Sequence, residues 1–478
     1  MDDKLREECG VFGVYSTRDR DVATDVYYGL FALQHRGQES CGIAVNSDGI
    51  INCVKEAGLV NEVFTPEALR AFEPGRIAIG HVRYGSSPYY PKLEAQPVTV
   101  NHIKGGTALA SNGSLTNAAE LREELELTGS IFHSFSDAEV ITQIITRERL
   151  AAGSIEQAIG CAMDRLQGAY SMIVMSATKM IAARDPLGFH PLCVGQLEDS
   201  YVFASETAAL DSVGATFLRD VKPGEIVTAT ADGGLVSDMS RAKSEKTALC
   251  SFELIYFARP DSVVDGCSVH LARQRAGALL ARQHPVQADV VIGVPDSGLD
   301  AAVGYASESG IPYGIGLIKN KYIGRTFIQP LAEERETLVR IKLNAIAAVV
   351  KDRRVIMVDD TIVRGTTSAR AVKVIREAGA KEIHFRSSAP PFLYPCYYGT
   401  DIESADKLIA SRLSHDEIVE RLGVDSLGYL DPATIGQIAP ETTLGLCDAC
   451  CTGAYPANIR KNAKKPIYMI KLSEKNRK

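Results

Sequence analysis

The chain has 478 residues, 45% hydrophobic and 23% charged. This balance suits two or three folded domains, each with its own core, and excludes a disordered polymer. A net charge of −7 argues against general nucleic-acid binding, which needs an excess of Lys and Arg, and no run approaches the ~18 uninterrupted apolar residues of a membrane span.

The opening MDDKLREE has no apolar stretch of a signal peptide, which predicts a cytoplasmic protein. Eleven cysteines in that reducing compartment are expected as buried, catalytic or metal-bound thiols rather than as disulfides. Cys9 opens the run CGVFGVY, which reads as a strand. Up to about residue 236, short alternating apolar runs (76–83, 169–175, 180–183) are broken by turn signals and by helical patterns over 137–151 and 154–166. They predict a largely antiparallel sheet domain with packed helices. The polar segment 237–246 then reads as a connection between domains.

Beyond it the rhythm changes to strand–helix alternation, with strands over 288–294 and 354–358 and a helix over 368–378. This is the pattern of a parallel sheet. Gly293 to Gly298, GVPDSG, places a tight polar turn after one strand. Residues 319–330, KNKYIGRTFIQP, put Lys319, Lys321 and Arg325 beside Tyr322 and Phe327 around Gly324. A mobile basic lid would balance a polyphosphate and exclude water.

Residues 355–367, VIMVDDTIVRGTT, describe a buried strand, two acids at its carboxyl end and a hydroxyl-rich glycine loop leading into a helix. Ligands of open parallel sheets bind at that end, where a helix N-terminus favours an anion. Gly365 permits close approach, Thr361, Thr366 and Thr367 offer hydroxyls, and Asp359 and Asp360 suit sugar hydroxyls or Mg²⁺. A nucleotide hydrolase would also need a phosphate-binding G-x-x-x-x-G-K-[ST] loop, and the chain contains no Gly-Lys pair. Further on, Cys447-Asp-Ala-Cys450 forms a C-x-x-C pair followed by Cys451, and residues 457–478 are strongly basic. A solvated end explains that tail better than a polyanion site.

The 355–367 run resembles the 5-phosphoribosyl pyrophosphate (PRPP) signature of type I phosphoribosyltransferases. The first half, with Cys9, residues 33–38 (LQHRGQ), 80–84 (GHVRY), 111–114 (SNGS) and 136–139 (SDAE), resembles class II glutamine amidotransferases of the N-terminal nucleophile hydrolase type. Together they resemble the amidophosphoribosyltransferase family, in its cluster-bearing branch with a propeptide. The resemblance implies a propeptide over 1–8, an αββα glutaminase domain over 9–240, a parallel-sheet phosphoribosyltransferase domain over 241–456 and a tail over 457–478. It also implies conversion of PRPP and glutamine to 5-phosphoribosylamine, glutamate and pyrophosphate, with ammonia passed between two sites, inhibition by purine nucleotides and a homotetramer.

The roles it implies agree with the chemistry of the residues. Attack on an amide needs a nucleophile, a base and oxyanion donors. Cys9, once freed at its α-amine, would supply the first two, and Asn112 with the Gly113 N–H the third. Arg83 would clamp the α-carboxylate of glutamine and Asp137 its ammonium. PRPP would be held by Asp359, Asp360, Thr361, Arg364, Gly365, Thr366, Thr367 and Lys319, with Mg²⁺ at Ser297, Asp359 and Asp360. Cys250, Cys396, Cys447 and Cys450 match ligands of a [4Fe–4S] cluster. Zinc in a Cys₄ site is the alternative metal, and Cys451 and Cys267 are the alternative ligands. The chain departs from many relatives at Ser111, at Gly85 and at His190, where an arginine is usual.

Overall fold

The computed structural model describes residues 9–84, 92–230, 234–242, 246–320, 343–400, 402 and 404–459. The 1–8 propeptide, Gly85, the 321–330 part of the lid and the tail from 460 onward therefore lie outside the described residues.

Two antiparallel sheets form the first half. In spatial order one contains Thr216–Asp220, Cys193–Leu197, Ser200–Ala204, Gly10–Arg20, Gly75–Arg83, Ser40–Ser47 and Ile50–Ala57. The other contains Leu235–Asp238, Ile226–Ala229, Met180–Arg184, Ser171–Ser176, Gly105–Asn112 and Val98–His102. The strand Gly10–Arg20 shows how the layers arise, because side chains alternate between the two faces of a strand. Phe12 and Val14 pack toward the helices Val22–Ala32 and Thr207–Val213, whereas Val11 and Tyr15 join Ile79, Ala110 and Ile173 between the sheets. A third core lies under Asp137–Ala151 and Ile155–Met163, on the outer face of the second sheet. The result is an αββα sandwich. Burying each large aliphatic side chain in such layers contributes about 1.5–3 kcal/mol.

The helix read at 137–151 spans those residues, because Ser136 caps it and Asp137 and Glu139 favour its positive end. The 237–246 segment begins differently from expectation. Ser237 and Asp238 complete the edge strand Leu235–Asp238, which pairs with Ile226–Ala229. A polar outward face suits an edge strand, so its composition resembles that of a linker.

In the second half, parallel strands lie in the order Val290–Gly293, Arg354–Asp359, Glu382–Ser387 and Ser426–Tyr429. Ile356 and Val358 face the helices Val269–Gln283 and Leu299–Ser309, whereas Val355 and Met357 face Thr366–Glu377 and His415–Leu422. A strand covered on both sides is apolar at every position, which is why this stretch is a continuous apolar run rather than an alternating one.

The halves are joined by buried charge. Arg184 of the first donates to both carboxylate oxygens of Asp265 in the second at 2.8 and 2.7 Å. The two-residue strands Leu249–Cys250 and Leu446–Cys447 pair in parallel and set Cys250 opposite Cys447.

Candidate active sites

Cys9 lies at the start of the strand Gly10–Arg20. Because Gly10 pairs with Val82, the thiol sits at the same end of the sheet as Arg83 and Tyr84, and its Sγ is 3.9 Å from the Tyr84 carbonyl. Asn112 ends a strand of the opposite sheet. His81 bridges the two: it pairs with Val11 in its own sheet, and its Nε2 donates to the Ser111 carbonyl at 3.1 Å. Burial drives the His81 pKa down to about 3, so the ring is neutral and acts as a fixed strut. Gln96 completes the fastening, accepting from Ser111 N at 2.8 Å and donating to Ser111 O at 3.3 Å. Asn112 is 1% exposed, and its side-chain NH₂ finds no acceptor among the described residues. A buried donor without an acceptor is costly, and it suits a site where negative charge develops. Gly113 has φ 118°, and a Cβ there would lie 2.4 Å from the Ala169 carbonyl oxygen, so only glycine fits.

Arg83 is held by Glu94, through an ion pair with its carboxylate and a 2.9 Å bond from Nη1 to its carbonyl. Asp137, first residue of its helix, accepts from Leu115 N at 2.8 Å. Burial pushes its carboxyl up to about 6 against the pull of the Leu115 N–H and of Arg83. The Arg83 charge acts on Asp137, so the two residues expected to hold the glutamine zwitterion lie in one neighbourhood.

In the second half Asp359 ends its strand, and Asp360 and Thr361 follow, all buried. Asp360 Oδ1 accepts from Ser297 Oγ at 2.5 Å and Oδ2 from Thr361 Oγ1 at 2.7 Å, so the turn after Val290–Gly293 meets the acidic loop. Gly298 makes this possible, since a Cβ there would lie 2.5 Å from the Val358 carbonyl oxygen. Gly365 caps Thr366–Glu377 with φ 81°. Asp359, Asp360, Thr361, Gly365, Thr367 and Ser368 line one pocket at that helix's N-terminus, the geometry of an anion cradle. Thr366 is exposed outside this lining, Arg364 is half-buried, and Lys319 reaches Asp296 Oδ2 at 2.6 Å beside the same turn.

Cys250, Cys396, Cys447 and Cys450 line a single cavity together with Phe189, Phe252 and Tyr398. Burial pushes the Cys447 thiol up to about 12, and the neighbouring Cys451 thiol and burial raise Cys450. Cys451 is buried outside this lining, its Sγ 4.0 Å from that of Cys450. Cys267 is also outside it, where burial and Glu441 raise its pKa to about 11. Among the described residues no three His, Cys, Asp or Glu are disposed as ligands of one metal ion.

No motif in the sequence marks a role for His81, Gln96, Glu94 or Ser368. His81 stands inside the GHVRY run, but nothing in that run says that its ring crosses to the other sheet.

Residues 86–212 match the glutamine amidotransferase domain family, and residues 270–426 the phosphoribosyl transferase domain family. Amidophosphoribosyltransferase of Methanocaldococcus jannaschii is 46% identical over 465 residues, covering 94% of this chain and 98% of the relative. That of Bacillus subtilis is 45% identical, covering 97% of each. The chain belongs to the amidophosphoribosyltransferase family. A solved glutamine PRPP amidotransferase from B. subtilis, complexed with ADP and GMP, superposes with a TM-score of 0.87 at 45% identity, over 95% of this chain and 99% of that one. The structure of "the allosteric regulatory enzyme of purine biosynthesis" gives 0.88, also at 45% identity, over 95% and 97%. As an amidophosphoribosyltransferase, the protein combines a glutaminase domain with a phosphoribosyltransferase domain and makes phosphoribosylamine from PRPP and glutamine in purine biosynthesis.

Proposed function

We propose that the reaction is divided between the two sites described. At the first, the Cys9 thiolate attacks the glutamine side-chain amide, with the cysteine's own α-amine as base after removal of residues 1–8. Asn112 Nδ2 and the Gly113 N–H receive the oxyanion, Arg83 holds the α-carboxylate and Asp137 the ammonium. The observation that carries this reading is the buried Asn112 NH₂ without an acceptor, at the end of the strand tied by His81 to that of Cys9.

At the second, Asp359, Asp360, Thr361, Gly365 and Thr367 receive the ribose and 5-phosphate of PRPP, with Arg364 and Thr366 at the rim. Lys319 and the turn at Ser297 lie toward the pyrophosphate. Ser297, Asp359 and Asp360 are the residues that would hold Mg²⁺, which when bound neutralises charge on the pyrophosphate leaving group. Ammonia released at Cys9 has to reach the anomeric carbon while still unprotonated, which requires a passage shielded from water. The working units are the glutaminase domain over 9–240 and the transferase domain over 241–456.

Cys250, Cys396, Cys447 and Cys450 are the residues that would hold a [4Fe–4S] cluster. Four thiols on one apolar cavity, two of them aligned by strand pairing, support this. The cluster would clamp segments far apart in sequence, because the reaction itself is redox-neutral. A cluster there, together with the leader before Cys9, supports reading the chain as one of the cluster-bearing branch with a propeptide. Purine nucleotides are proposed as feedback inhibitors, in keeping with the nucleotides bound to the B. subtilis relative, and the assembly as a homotetramer. A cytoplasmic location is consistent with the finding that no described helix is long and apolar enough to cross a membrane.

The test is an anaerobic assay of phosphoribosylamine formation with glutamine or with ammonia, with iron and sulfide measured on the same sample. Synthesis with ammonia but none with glutamine from correctly processed protein would refute the glutaminase assignment.

A further inference from the structure

His190 belongs to the first half, is 1% exposed, and directs both ring nitrogens at the second. Its Nε2 is 2.8 Å from the Tyr398 carbonyl oxygen, which can only accept, so Nε2 donates. Nδ1 lies 3.3 Å from Glu253 Oε1. The same Tyr398 carbonyl accepts from Ser114 N at 3.2 Å, immediately after the Asn112–Gly113 pair. Contact is close on all sides. A Cβ placed on Gly113 would be 3.1 Å from His190 Cδ2, and one on Gly399 would be 3.1 Å from His190 Nε2 and 3.6 Å from Gly113 Cα. The His190 backbone is also anchored to the oxyanion strand, since its carbonyl accepts from Ser171 Oγ at 3.0 Å and Ser171 pairs with Asn112.

Glu253 continues the connection to the nucleophile. It is held by Arg36, whose Nε donates to the Cys9 carbonyl at 3.0 Å. The backbones of Cys9 and of the oxyanion loop are thus both registered against groups of the transferase half, and His190 touches both of those groups.

We infer that His190 is a positioning residue for glutamine hydrolysis: by joining Tyr398 and Glu253 it sets the Gly113–Ser114 loop, so the oxyanion site is formed only when the transferase half is docked. This rests on the assignment of Asn112 and Gly113 as oxyanion donors. Its physical basis is that a displacement of about 1 Å in a catalytic donor can cost on the order of 100-fold in rate, while the zwitterion clamp at Arg83 and Asp137 is left in place.

The test compares wild type with His190→Phe, which keeps an aromatic ring but donates nothing, and His190→Gln, which offers a donor at similar reach. His190→Phe is expected to lower kcat for glutamine hydrolysis by about tenfold or more. Its KM for glutamine and its ammonia-dependent synthesis should stay within about twofold. His190→Gln should recover most of the loss. Unchanged hydrolysis in His190→Phe, a change confined to KM, or equal loss of the ammonia reaction would each overturn the inference. If His190→Phe does not fold, His190→Gln against His190→Asn decides, because Asn is one methylene shorter and cannot reach Tyr398; equal rates for that pair overturn the inference as well. Failure of the underlying assignment has a separate signature, namely glutamine hydrolysis that survives Asn112→Ala.

Discussion

Arg36 grips Glu253 across the domain boundary with two bonds, Nη2 to Oε1 at 2.6 Å and Nη1 to Oε2 at 2.9 Å, and both side chains are fully buried. The same guanidinium reaches Glu206 at 2.7 Å. Removing one member of such a set leaves uncompensated buried charge, which costs about 3–5 kcal/mol. Arg36→Met is therefore expected to lower the denaturant midpoint strongly. A midpoint within error of wild type would show that the network is not a structural tie.

Glu206 adds a pH dependence to that tie. Burial opposes its ionisation, yet His35 and Arg36 together hold its pKa down to about 2, against an ordinary 4.5. Its contribution is present above pH 4.5 and is lost as pH falls toward 2. Acid-unfolding curves of wild type and Glu206→Gln should converge over that window and separate above it.

Cys9→Ala should abolish glutamine-dependent synthesis and leave ammonia-dependent synthesis within about twofold, because only the first site loses its nucleophile. Loss of both to the same extent would contradict two separable sites.

Asp137 is raised to about 6 from 3.8. Its carboxylate binds the substrate ammonium only when ionised, so KM for glutamine should rise as pH falls through 6, and Asp137→Asn should remove that step. Stability moves the opposite way. The folded state holds the proton more tightly, so this group favours folding at low pH and costs stability as pH rises from about 4 to 6. Asp137→Asn is therefore expected to be more stable at pH 7 by about 1 kcal/mol while binding glutamine poorly. A variant less stable than wild type at pH 7 would count against this balance.

Asp359→Asn with Asp360→Asn should remove both the glutamine- and ammonia-dependent syntheses, with PRPP binding measured calorimetrically falling at least tenfold. Residual synthesis near wild-type levels would move the PRPP site elsewhere.

Cys447→Ser should reduce iron and sulfide content measured anaerobically. Cys451→Ser should leave them unchanged, since Cys451 is outside the cavity lining. Reversal of that order would exchange the ligand assignment.

Local patterns carried much of this protein. Asp137–Ala151 was legible because a cap, early acids and helical periodicity agree. The strand before Asp359 was legible because a continuous apolar run followed by acids and glycine has few other folded uses. The acidic pair stood out by its place at a strand end, whereas Cys9, Asn112, Arg83 and Asp137 stood out through the resemblance to class II glutamine amidotransferases.

What no linear pattern contained was registration between distant surfaces. Ser237 and Asp238 read as the start of a polar linker because an edge strand exposes one face, and only the pairing of Leu235–Asp238 with Ile226–Ala229 makes them sheet. His81 crosses from one sheet to the other, and Arg36, Glu253, His190 and Tyr398 meet from positions as much as 362 residues apart, counting from 36 to 398. Buried polar groups must find partners wherever the packed layers bring them. Residue type could therefore announce the chemistry, while the partners that hold it in place were decided by tertiary packing.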